Sequence, residues 1–128
     1  MFGICEKLKI LDISNFDTSK VTKLNSIFGC CRKLKEIKGV NNFNTINVTS
    51  MSNMFGGCHE LDNLDLSNFN TSNVTNMRLL FNECYKLKEI KGINKFDTSK
   101  VTDMRSAFQE YKDIIYLDLS NFCKQNVC

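Results

Sequence analysis

The residues best suited to chemistry in this chain are seven cysteines and a single histidine. Four of the cysteines, Cys5, Cys31, Cys58 and Cys84, recur at steps of 26 or 27 residues. Four thiols invite a zinc site, because thiolates are strong tetrahedral ligands. The spacing argues against one. If each step is one rung of a stack, rungs about 4.8 Å apart spread four sulfurs over roughly 14 Å, too far to converge on one ion. A buried thiol ladder is the expectation, since free cysteine packs as a small hydrophobe. A disulfide between adjacent rungs would need the thiols to turn toward each other. Cys30, Cys123 and Cys128 lie outside the column. For the last two, a bond tying the C-terminus and ordinary free thiols both stand open.

His59 follows Cys58 at a position filled elsewhere by Glu6, Arg32 and Tyr85, a variable and therefore surface-like place. Ser, Asp and Lys fall in repeated columns instead of one singular constellation of nucleophile and base. "FGGC" at Phe55 is a variant of "FGIC" and "FGCC" and no phosphate loop. The expectation is a protein that is no enzyme, with no catalytic, cofactor or metal residues.

The elements that carry these residues are set by repetition. One word, "MF..C..L..L.LSNF.TS.VT.M", starts at Met1, Ile27, Met54, Leu80 and, worn, at Ala107, and a fixed period of this length marks a stacked architecture. Apolar columns follow it: Phe2, Phe28, Phe55, Phe81, Phe108; Leu8, Leu34, Leu61, Leu87, Ile114; Leu11, Ile37, Leu64, Ile90, Leu117. One unit cannot bury its own apolar face, whereas stacked units share a continuous core. Leu64 and Leu66 alternate around Asp65 as a short strand; Val74, Met77, Phe81 and Cys84 step by three and four as one face of a helix. Strand then helix predicts an α/β solenoid of about five repeats, with short parallel strands on one side and short helices on the other, as one domain over residues 1–128. Thr18, Thr45, Thr71 and Thr98 read as helix caps. Even repeats carry one residue more, beside Gly39 and Gly92, which a glycine-tolerated bulge would absorb.

Leu8, Leu11, Ile13 and Leu61, Leu64, Leu66 spell the L-x-x-L-x-L core of leucine-rich repeats, and "MFGGCHELDNLDLSNFNTSNVTNM" resembles the BspA-like leucine-rich repeat surface proteins. The resemblance implies a surface-exposed or secreted protein-binding or adhesion module, with a host matrix or cell-surface protein as partner. The chain begins mid-repeat and ends in "NFCKQNVC". Open ends of the stack make self-association an expectation.

One outward column of the strands reads Asp12, Lys38, Asp65, Lys91, Asp118, with its sign alternating rung by rung; its neighbour reads Ile10, Glu36, Asn63, Glu89, Tyr116. One reading is a solvated charge ladder of opposite neighbours on adjacent strands. The other is a partner-binding face anchored by Tyr116 and Ile10, aromatic residues being enriched in interface hot spots.

Seventeen basic and 14 acidic residues are spread along the chain for a net charge of +3, so nucleic acid is disfavoured as a partner. No apolar run is long enough to span a bilayer, and no signal-peptide pattern opens the chain. Free thiols and the missing leader favour the alternative of an intracellular, cytoplasmic scaffold. A third class would use the Thr18/45/71/98 and Thr22/49/75/102 columns as a flat array ordering water or ice, which needs both rows outward. Asn47, Asn70 and Asn73 head formal glycosylation sequons written in the repeat's own letters.

Overall fold

The computed structural model describes residues 2–122. Four three-residue strands are formed: β1 (Ile10–Asp12), β2 (Glu36–Lys38), β3 (Asn63–Asp65) and β4 (Glu89–Lys91). They pair in parallel as two separate two-stranded sheets, β1 with β2 and β3 with β4. The register sets Leu11 on Ile37 and Leu64 on Ile90. The only helical segments among the described residues are two 3₁₀ turns, Val40–Asn42 and Ile93–Lys95. The α/β leucine-rich-repeat solenoid of strands and helices is therefore not what this chain forms. Among the described residues there is no helical side, and the strands do not join into one sheet.

The missing helices have a local cause. Residues that read as a helix face turn inward at nearly every third position, and Thr71, Val74, Met77, Leu80, Phe81, Cys84 and Leu87 are all buried. The chain does this with successive tight turns: the Val74 amide donates to the Thr71 carbonyl at 2.9 Å, Leu80 to Met77 at 3.2 Å and Cys84 to Phe81 at 3.3 Å. Leu79 (φ 57°) and Glu83 (φ 57°) stand in the left-handed region between these turns, which no helix interior tolerates. Amides that a helix would satisfy internally go to the next unit instead. Met77, Leu79, Phe81 and Glu83 donate to the carbonyls of Asp103, Arg105, Ala107 and Gln109 at 2.8 to 3.1 Å. Met51, Asn53, Phe55 and Gly57 do the same to Asn76, Arg78, Leu80 and Asn82 at 2.7 to 3.0 Å. Three-residue turns thus imitate the period of a helix in the sequence.

Side chains complete the backbone in the same sense. The hydroxyl of Thr45 accepts the Asn70 amide at 2.8 Å and donates to the Asn70 carbonyl at 3.0 Å. Thr71 repeats this with Asp97, and Thr18 with Asn44. These threonines are buried and bridge units; they cap no helix, and their burial removes one of the two outward rows that an ice-ordering array requires. Thr49, Thr75 and Thr102 are exposed, yet each passes its amide and hydroxyl to the carbonyl of its counterpart one unit back. Two sequon asparagines also work as linkers: Asn47 donates to Ser19 and Asn73 to Ile46, both at 3.0 Å.

The core is a file of stacked aromatic rings with aliphatic columns around it. Phe28, Phe55 and Phe81 are fully buried, and centroid distances along Phe2, Phe28, Phe55, Phe81 and Phe108 are 6.1, 5.5, 5.6 and 5.6 Å. Gly39 and Gly92 take up the extra residue of the even repeats. Each holds a left-handed conformation (φ 81° and 86°) at the end of a strand and opens a 3₁₀ turn.

Beside the aromatic file, Cys31, Cys58 and Cys84 are buried, and their thiols donate to the carbonyls of Phe2, Phe28 and Phe55 at 3.0, 3.2 and 3.3 Å. Cys5 of the same column is exposed, as is Cys30, so the ladder has three buried members. Cys123 and Cys128 lie outside the described residues. Burial raises the Cys31 and Cys58 thiols and pushes Cys84 up to about 12. Because the thiolate is the reactive form, Cys5 and Cys30 are expected to alkylate quickly in the native chain, and Cys31, Cys58 and Cys84 only on unfolding. Mass-resolved labelling with a maleimide checks this, and rapid modification of Cys58 would contradict it.

In the fifth unit Tyr111 occupies the cysteine column. Its hydroxyl is buried with no hydrogen-bond partner among the described residues, and desolvation drives its pKa upward. An unpaired buried hydroxyl costs about 1–3 kcal/mol. Tyr111→Phe is therefore expected to stabilise the fold by about 1 kcal/mol, read from the urea midpoint; a loss of stability would show that the hydroxyl is satisfied.

Candidate functional site

The candidate face is built by the four strands and the residues just before them. Alternation turns Leu11, Ile37, Leu64 and Ile90 toward the core and leaves their neighbours outside. The register places Ile10 beside Glu36 and Asp12 beside Lys38, and Asn63 beside Glu89 and Asp65 beside Lys91. Eight of the ten residues singled out from sequence thus lie in paired strands. Tyr116 and Asp118 sit beyond β4 outside any assigned strand, and the Ile115 amide makes a long bond at 3.5 Å to the carbonyl of Lys88, the residue before β4. Tyr116 is 74% exposed, Ile115 83% and Ile10 56%, so large apolar side chains stand in solvent at both ends of the face.

Between them lies a shallow charged groove of about 680 Å³, lined by Glu36, Asp62, Asp65, Lys88 and Lys91 among others. Its ion pairs run between the third and fourth units: Lys86 to Glu60 at 2.8 Å, Lys88 to Asp62 at 2.8 Å and Lys91 to Asp65 at 3.5 Å. The alternating column is only partly a charge ladder. Asp12, Asp65 and Asp118 each accept the amide of the serine two residues on, at 3.0 Å. Bonds from that serine are the first cause holding each carboxyl below the usual carboxylate range, ahead of any lysine. The aspartates shape the turn after the strand, and in even units Lys-Gly replaces Asp-x-Ser at the same place. That Asp-x-Ser word was a readable signal for the turn.

These carboxyls, with Asp97 under Ser99 and Asp103 lowered to about 2 by Arg105, set an acid limit. A carboxyl depressed by folding contributes stability above its unfolded value, and that contribution is lost as pH falls through the folded value. The urea midpoint is therefore expected to be insensitive to these groups near neutrality and to fall between pH about 4 and about 2. A midpoint constant through that window would contradict the assignment.

Sequence inspection passed over the lysines that precede the strands. The word K-L-K stands at Lys7–Lys9, Lys33–Lys35 and Lys86–Lys88, and all six lysines are exposed around an inward leucine. Repetition of that word was the available signal. His59 lies against Tyr85 with ring centroids 4.7 Å apart, its Nε2 being 3.3 Å from Glu83; the two rings immediately precede Glu60 and Lys86, which line the groove. No group of three or more His, Cys, Asp or Glu among the described residues is placed to hold a metal, and no helix is long and apolar enough to cross a membrane.

A family model described as Mycoplasma protein of unknown function, DUF285, matches residues 1–122. The chain belongs to the DUF285 family. This replaces the BspA-like leucine-rich repeat assignment drawn from the L-x-x-L-x-L word, and with it the leucine-rich repeat label. The apolar spacing on which that likeness rested is here the spacing of a turn-built DUF285 unit. No curated protein and no solved structure gives a match.

Proposed function

We propose that this DUF285 chain is a non-catalytic protein-binding module of the adhesion or recognition type, working through the strand face. The observation that supports this reading most is the exposure of Ile10, Ile115 and Tyr116 at the two ends of one charged groove. The core makes no use of these side chains, and apolar and aromatic residues of this kind anchor protein interfaces. The other polar groups with a structural task, the Thr, Asn and Asp columns, are engaged in joining units or shaping turns. The test is recovery of partners by photo-crosslinking through the face, comparing the parent chain with an Ile10→Asp/Tyr116→Asp variant of equal thermal stability. The variant is expected to lose the crosslinked species, and unchanged recovery would show the face to be the wrong one.

A second reading, an intracellular scaffold using the same face, is favoured by the free thiols at Cys5, Cys30, Cys31, Cys58 and Cys84. Labelling intact source cells with a membrane-impermeant reagent separates the two: modification supports adhesion, protection the scaffold. Self-association is a further expected contact. Phe2, Leu8 and Leu11 of the first unit and Phe108, Leu117 and Phe122 of the last are only partly buried. Light scattering on a Phe2→Ser/Phe16→Ser variant tests it, Phe16 being chosen because it is 40% exposed, whereas Ile13 is a core residue.

A further inference from the structure

We infer that Lys7, Lys9, Lys33 and Lys35 form a docking site for an acidic peptide segment carrying carboxylates at alternate residues. The inference rests on the strand face being a protein-binding surface and names the chemistry of the partner. Leu8 and Leu34 turn inward, which sets the flanking lysines of each unit on the outside, and all four are exposed. The units are locked in register here, because the Lys35 amide donates to the Lys9 carbonyl at 2.8 Å. Lys7 and Lys33 stand in the turn that precedes each strand, and Lys9 and Lys35 directly before the strand itself, with adjacent strands about 4.8 Å apart. The four side chains therefore stem from equivalent positions in two neighbouring units.

Among the described residues none of the four makes an ion pair. Glu6 and Glu36 flank the array along the chain, Glu6 lying 3.9 Å from Arg32, and in the third unit Glu60 and Asp62 are each taken at 2.8 Å by Lys86 and Lys88 of the fourth. The bond from Lys86 is the first cause lowering the Glu60 carboxyl, with the charges of Lys33 and Lys35 behind it. That internal contact displays the recognition the array offers: an acid-x-acid segment, Glu60 and Asp62, matched side chain by side chain to a K-x-K segment. Lys7-x-Lys9 and Lys33-x-Lys35 repeat the K-x-K half without the acidic half. The four lysines include no aromatic ring on which bases or sugars could stack, and the neighbouring guanidinium of Arg32 lies 3.9 Å from the Glu6 carboxylate. The array presents point charges, with the exposed Ile10 adjoining Lys9 for an apolar side chain of the partner.

The experiment is fluorescence anisotropy with a short labelled peptide alternating Glu and Thr, against a peptide of the same composition with its Glu residues in one block, and against a heparin fragment. The alternating peptide is expected to bind about tenfold more tightly than the block peptide, and added salt to weaken it. Replacing Lys7, Lys9, Lys33 and Lys35 by Gln is expected to cost about tenfold or more, while the same change at Lys20, Lys23, Lys95 and Lys100 leaves binding nearly intact. Equal binding of the two peptides, equal losses in the two variants, or tighter binding of heparin than of the alternating peptide would each overturn the inference. Should the array variant still yield the crosslinked partners that Ile10→Asp/Tyr116→Asp loses, the face binds protein and the acidic segment is wrong. If neither variant affects recovery, the reading of the face itself fails.

Discussion

Replacing Gly92 by Ala is expected to destabilise the fold by about 3 kcal/mol or more. Two costs combine at this position. Gly92 sits at φ 86°, where a side chain is strained, and an added Cβ would lie 2.4 Å from the Cα of Ser67 and 2.6 Å from its nitrogen. The obstacle is backbone, so no rotamer change relieves it. Relief would have to part the chain just where the Leu66 amide meets the Lys91 carbonyl at 2.9 Å, loosening the β3–β4 pair. Gly57 makes the comparison. It also has a positive φ, of 76°, but its Cβ would approach nothing closer than 3.2 Å. Gly57→Ala is expected to cost only about 1 kcal/mol. Chemical denaturation of both variants reads the difference, and equal losses would show that the clash, as distinct from the dihedral, is unimportant.

The second large effect is expected at the centre of the aromatic file. Phe55 is fully buried between Phe28 and Phe81, with centroids 5.5 and 5.6 Å away, and Phe55→Ala should cost about 3–5 kcal/mol. Phe2, at the edge of the file and only partly buried, should cost clearly less on the same substitution. The gradient matters more than either value. A file that is one continuous core must be weakened most at its middle, since a cavity there has atoms on both sides that lose their contacts. Equal costs at Phe2 and Phe55 would mean that each unit is held independently of its neighbours.

The inward columns were legible because burial recurs with the repeat: Phe28, Phe55, Phe81 and Leu34, Leu61, Leu87 are core residues as their spacing implies. The path of the chain between them was not. Val74, Met77, Phe81 and Cys84 fit a helix and fit a run of three-residue turns equally well in one dimension. The choice between them is made by left-handed residues such as Leu79 and Glu83, whose types give no warning of that conformation. Thr45 and Thr71 look like helix caps in a sequence read locally; their partners, Asn70 and Asp97, stand 25 and 26 residues away. On the candidate face, the alternating Asp and Lys column was visible, but its local purpose was hidden by treating Asp65 as a charge before treating it as the acceptor of the Ser67 amide. The unpaired lysines escaped notice for a related reason. Their significance lies in what Lys86 and Lys88 have and Lys7, Lys9, Lys33 and Lys35 lack, and pairing is a three-dimensional property.

The account turns on one structural claim: each unit completes its backbone on its neighbour, which leaves the strand face spare for a partner. Scalar couplings across hydrogen bonds, measured by NMR, test it directly because they name both donor and acceptor. The Phe55 amide should couple to the Leu80 carbonyl, Asn53 to Arg78 and Gly57 to Asn82. Coupling of the Phe55 amide to the carbonyl of Met51, the helical partner four residues back, would contradict the claim.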